Sequence, residues 1–115
     1  AAREDFAAAA VAVLTTEGHI GKTYELAGDK GYTLKDFAAE ISKQSGKNIP
    51  YQNLPEAEFA KILESFGLPQ GFAVALASWD TGAGRGDLYD DSKQLSQLIG
   101  RPTTPISVTI ANTLR

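Results

Sequence analysis

Tyr89 and Lys93, in the stretch YDDSK, stand one helical turn apart. At that spacing an ammonium group can lower a phenol's pKa and fit the tyrosine to act as general acid beside a hydride donor. Tyrosines and lysines four positions apart occur in helices of every function, so the surrounding elements decide what this pair is. Three other groupings carry chemical potential. The run TGAGRGD, from Thr81 to Asp87, sets glycines at 82, 84 and 86, where bare backbone N–H groups can approach an anion. Asp90 and Asp91 are adjacent carboxylates, of use in acid–base or metal chemistry only if a third group converges on them. Trp79, next to Asp80, shares a helical stripe with Phe72 and can stack on a flat aromatic ligand or pack in a core.

Each grouping also has a plainer reading. A phosphate-cradling turn follows a buried strand and opens a helix, whereas the glycine run follows a helix and precedes a short tail, so a flexible connection or a substrate-side lid is expected over Thr81 to Asp87. Asp90 and Asp91 are read as helix caps. Trp79 on an apolar helix face is more often core than ligand platform. His19, the single histidine, sits in the polar turn EGHIG and is read as a solvated side chain. With one histidine and no cysteine, neither a serine triad nor a thiolate or multi-histidine metal set is available. No catalytic residue and no metal ligand is assigned.

The elements that would position these residues are mostly helices. REDFAAAAVAVLTTEG repeats Phe6, Ala9, Ala10, Val13 and Leu14 at helical spacing, with acidic residues at its start and Gly18 at its end. Thr33 and Asp36 form a short capping box ahead of Leu34, Phe37, Ala38 and Ile41, a second helix that runs to Gly46. Pro55 opens a third at its first turn, with the stripe Phe59, Ile62, Leu63 and Phe66 ending at Gly67. LPQGFAVALASWD restarts as a fourth, with Phe72, Leu76 and Trp79 on one face. A short helix carries Leu95, Leu98 and Ile99 up to Gly100, and the tail PISVTIANTLR is read as helix because Thr104 and Pro105 are cap and first-turn residues. Lys22 to Gly28 alternates like a half-buried strand, and Asn48 to Leu54, with Pro50, suits a sheet edge. Tyr24 and Tyr51 would pack there.

The fold class is therefore α+β, mainly helical with two short strands, in a chain of 115 residues whose length suggests one core. Two strands do not make a self-sufficient sheet, which implies a part of something larger. The net charge of -3 and the scattered basic residues argue against a nucleic-acid partner. No apolar run approaches the length of a membrane span, and the absence of cysteine fits a cytoplasmic setting.

The order RxDFAAAAVAVL, GHIGKTYELAGDKGYTLKDFAAEISKQSGK, IPYQNLPEAEFAKILESFGLP and LYDDSKQLSQLIGRPTTP resembles the C-terminal portion of the NmrA-like family of atypical short-chain dehydrogenases, and within it the members that reduce quinones. The resemblance covers nearly the whole chain. It implies that residues 1–115 are the C-terminal, substrate-binding subdomain of a Rossmann-type α/β protein whose N-terminal NAD(P)-binding half, with its GxxGxxG turn, is absent here. The implied activity is reduction of a quinone-like small molecule by NADPH or NADH, without flavin or metal. Phe72, Trp79, Gly82 and Gly84 are the expected substrate-binding residues. The chain alone is expected to be inactive and to bind the dinucleotide poorly. The surface meant for the missing half predicts a homodimer, a swapped dimer or a low melting point. The family also includes redox-sensing regulators that bind NAD(P) without turnover and contact a protein partner, which is the alternative function. By the same resemblance, the superfamily's catalytic Tyr-x-x-x-Lys belongs ahead of this region, so Tyr89 and Lys93 are read as a chance match.

Overall fold

The computed structural model describes all 115 residues. Six helices form, α1 (Arg3–Thr15), α2 (Leu34–Ser45), α3 (Glu56–Ser65), α4 (Gln70–Gly84), α5 (Gln94–Ile99) and α6 (Ile106–Leu114). The predominantly helical reading agrees with this order. The two expected strands form no ladder, and side chains take some of the backbone amides in and beside them. Glu25 N donates to Gln94 Oε1 at 3.1 Å, Asp29 N to Thr103 Oγ1 at 2.7 Å and Ile49 N to Ser42 Oγ at 3.0 Å. Backbone amides require a partner but not a particular one.

The residues divide into two compact units where length alone suggested one core. The first comprises Ala1–Tyr51 and Asp90–Arg115, and the second Gln52–Tyr89. In the first, α1 packs on α5 and α2 on α6. Leu95 of α5 is fully buried, with Ala2, Ala9 and Ile110 nearly so, and burial of a leucine side chain stabilises by about 1.5–3 kcal/mol. In the second unit α3 packs on α4. Ala60, Ala73 and Ala77 are its buried apolar residues, and side chains this small suit closely approaching helix axes.

Local chemistry sets the helix ends. Thr33 Oγ1 accepts from Asp36 N at 3.1 Å while Asp36 Oδ2 accepts from Thr33 N at 3.0 Å, so the capping box forms as read. Helix α1 stops at Thr15, short of Gly18, because the hydroxyls of Thr15 and Thr16 return to the carbonyls of Val11 and Ala12, both at 2.7 Å, and Thr16 turns extended. Pro55, Pro69 and Pro105 each occupy the cap position with extended ψ, one residue earlier than the first turn expected for Pro55 and Pro105. A proline's fixed φ and missing N–H suit that position equally, and its carbonyl accepts the first helical bond.

Two expectations are corrected. Asp90 and Asp91 do not cap α5: Asp90 Oδ1 accepts from the amide and hydroxyl of Ser92, closing a turn ahead of the helix, and the cap is Lys93 in the left-handed region at φ 58°. The glycine run is not wholly a loop either, since α4 continues through Gly84. No helix is long and apolar enough to cross a membrane.

Candidate functional site

The glycine run can be judged first, because the fold fixes what its amides do. Arg85 ends α4. Gly86 N bonds to Ala83 O at 3.0 Å and Asp87 N to Gly82 O at 3.1 Å, the paired bonds of a Schellman close, with Gly86 at φ 94°. The amides of Arg85, Gly86 and Asp87 are thus spent on helix carbonyls. The segment also lies at the helix C-terminus, the negative end of the macrodipole, so it repels a phosphate instead of cradling one. Gly82 is buried, and a Cβ there would come 2.9 Å from Asp87 Oδ2, which also pairs with Arg85 at 3.3 Å. Gly84 faces open space.

Phe72 and Trp79 lie two turns apart on α4. Their ring centroids are 6.4 Å apart at 82°, an edge-to-face pair, and the two residues are 51% and 62% exposed. Trp79 is therefore not a core residue. The physical reason lies in the same helix: Ala73 and Ala77 turn inward, which leaves the large rings outward. Of the four residues expected to bind substrate, Phe72 and Trp79 come together as an exposed aromatic face, and Gly82 and Gly84 lie further along α4 within the helix.

Tyr89 and Lys93 do not share a helical turn. Tyr89 N bonds to Gly86 O at 2.9 Å, and Lys93 is the left-handed residue before α5. The two residues belong to different units.

Sequence reasoning missed several side-chain networks in the first unit, among them those of His19 and Asp29. His19 is half-buried and partnered, with Nε2 at 2.6 Å from Thr16 Oγ1 and Nδ1 at 2.6 Å from the Tyr24 hydroxyl. The i, i+3 and i, i+5 spacings were present in TEGHIGKTY, but a glycine-flanked turn hid them. Asp29 binds residue 103 twice: Thr103 N donates to Oδ2 at 2.9 Å, and Asp29 N donates to Thr103 Oγ1. The Thr103 amide is the main influence holding the Asp29 carboxyl below its ordinary range, and the nearby Ser96 hydroxyl and Lys93 charge act the same way. The Ser96 hydroxyl itself donates to Lys93 O, so Asp29 Oδ1 is a buried oxygen without a hydrogen bond. No three His, Cys, Asp or Glu side chains converge in a metal-binding group.

No family model matches the chain. The chain is 55% identical over 112 residues to quinone oxidoreductase 2 of Escherichia coli, a match that spans 97% of this chain and 39% of that protein. The crystal structures of the NADPH-dependent quinone oxidoreductase from the same organism, one of them complexed with NADPH, superpose on the whole chain with TM-scores of 0.95 and 0.96, covering 42% and 41% of those chains. The triphenylmethane reductase of Citrobacter sp. matches at 33% identity with a TM-score of 0.88, over 97% of this chain and 39% of that one. The match thus takes in less than half the length of these relatives, and in sequence and backbone the chain is similar to the C-terminal part of NmrA-like quinone and triphenylmethane reductases.

Proposed function

We propose that residues 1–115 form the substrate-side subdomain of an NAD(P)H-dependent quinone reductase, in which Phe72 and Trp79 supply a face for the ring of a quinone. The observation that carries this reading is the exposed, edge-to-face pair on α4. A quinone is flat and electron-poor, and two mutually perpendicular rings offer it both a stacking face and an edge. Gly82 and Gly84 belong to the same helix end, and Gly84, with open space where a Cβ would stand, lets a ligand approach the backbone.

The glycine run of this chain does not fit a dinucleotide's phosphates, because its amides are already bonded at a helix C-terminus. In this reading NADPH, the cofactor named for the Escherichia coli protein, is held by residues outside 1–115. This chain orients the acceptor and excludes water from it. The named relatives are all oxidoreductases or reductases, which favours turnover over the regulatory alternative. The lack of cysteine suits a cytoplasmic setting.

The reading is tested in a chain that joins these residues to an NADPH-binding half. Trp79→Ala and Phe72→Ala should each lower kcat/KM for a quinone by about threefold to tenfold, the worth of one aromatic contact. Unchanged kcat/KM in both variants would sink it.

A further inference from the structure

The charge of the molecule is unevenly placed. In the second unit Glu56, Glu58, Glu64, Asp80 and Asp87 face only Lys61 and Arg85, so this unit carries the whole net charge of -3 and the first unit is balanced. Arg85 is the only basic residue of α4 and its C-cap, and it is engaged by Asp87 at 3.3 Å. Asp80, directly after Trp79, is exposed and makes no ion pair. The aromatic face thus lies on an acidic unit, and the carboxylate that follows Trp79 in the helix makes no ion pair.

We propose that the Phe72–Trp79 face takes planar aromatic cations of the quinone-imine class in preference to anionic quinones of equal ring size. The inference rests on the reading of this pair as ligand-facing and adds the charge of the preferred ligand. A ring face carries negative quadrupole density that attracts a cation set over it, and the indole of Trp79 is the strongest such face among side chains. An anionic ligand of the same shape gains the same stacking but is opposed by the net negative charge of the unit, Asp80 included. A delocalised cation suffers less from leaving water than a localised ammonium does, so most of its Coulomb gain survives at an exposed site.

The test is isothermal titration calorimetry of the chain with methylene blue, a tricyclic quinone-imine cation, an anthraquinone sulfonate, a tricyclic anion, and neutral naphthoquinone. Methylene blue should bind about tenfold more tightly than the sulfonate at an ionic strength of about 10 mM, and about twofold more tightly at about 300 mM, as screening removes the unit's field. Asp80→Asn should narrow the gap without changing naphthoquinone binding, and Trp79→Ala should weaken all three ligands. Equal affinities for the two charged ligands, or tighter sulfonate binding, would overturn the charge preference and leave the quinone site standing if naphthoquinone still depends on Trp79. Binding of all three that Trp79→Ala leaves unchanged would remove the site and the preference together. Self-association abolished by Trp79→Ala, with no ligand bound, would make this face a contact between copies and also overturn the proposal.

Discussion

Asp5, fully buried on α1, accepts a 2.7 Å hydrogen bond from Arg101 Nη2, 96 positions later in the chain. Its other oxygen accepts from Thr104 N at 2.6 Å, and the Thr104 hydroxyl adds a bond at 3.0 Å. Burial pushes the Asp5 carboxyl upward. The Thr104 amide, the Arg101 guanidinium and the Thr104 hydroxyl outweigh it and hold the group below its ordinary value. The segment between α5 and α6 is thereby fixed to the first helix of the same unit.

Asp5→Asn keeps the shape of the side chain but removes its charge and turns one acceptor into a donor facing another donor. The variant should lose about 2–3 kcal/mol in urea unfolding at neutral pH. Arg101→Ala should cost less, because Arg101 is 47% exposed and water can replace part of it. An asparagine variant as stable as the parent would remove the clamp from the account.

Acid should reveal the same network. Asp5, Asp29 and Asp36 all have carboxyls held below the ordinary value of 3.8, so the folded state binds fewer protons than the unfolded chain in that range. Their contribution to stability is complete above that value and is lost as pH falls below it towards their folded-state values. A melting temperature flat from neutral pH to about pH 5, then falling steeply, is the expected profile, and Asp5→Asn should flatten the fall. An unchanged acid limb in that variant would place the titration elsewhere.

Thr33→Ala removes one half of the capping box of α2 and should cost about 1 kcal/mol, with Thr33→Ser restoring most of it. Denaturant midpoints of the three proteins decide the point. No loss in Thr33→Ala would mean that water satisfies the Asp36 amide equally well.

That box was readable because both partners lie three residues apart in one helix. The same was true of the helical stripes: Phe59, Ile62, Leu63 and Phe66 announce α3 by spacing alone. What spacing could not show was where small residues would turn inward, and so Trp79 read as core when Ala73 and Ala77 occupy the inner side of α4. The Asp5–Arg101 pair was invisible for another reason, since nothing local in RED or GRP marks a contact across nearly the whole chain. Asp90 and Asp91 misled because a caplike residue two or three positions early closes its own turn, here on Ser92, before the helix begins. The aromatic face was anticipated as a substrate-binding pair, but its exposure and edge-to-face geometry required the fold.

The three glycines of GAGRG look alike in sequence and should respond differently. Gly84 is helical and faces open space, so Gly84→Ala should stabilise by about 0.5 kcal/mol. Gly86, at φ 94°, also faces open space, and alanine there should cost about 1 kcal/mol from backbone strain alone. Gly82→Ala must displace the Asp87 carboxylate, and adding Asp87→Ala should recover the loss. Thermal unfolding of the four variants checks the order, and a destabilising Gly84→Ala would contradict the helical assignment of this stretch.

The ring of His19 should be a single tautomer. The Thr16 hydroxyl has one proton, and it is directed to Ala12 O at 2.7 Å, so at the 2.6 Å contact Thr16 Oγ1 must accept and His19 Nε2 must donate. In the neutral ring Nδ1 is then the acceptor, and the Tyr24 hydroxyl donates to it. Long-range nitrogen–proton correlation NMR of the neutral ring should therefore show Nε2 protonated and Nδ1 bare. Tyr24→Phe removes the donor to Nδ1, while Thr16→Val removes the acceptor for Nε2–H, and only the second should let the ring redistribute between its two neutral forms. A protonated Nδ1 in the parent protein would reverse the direction of the whole chain from Ala12 to Tyr24.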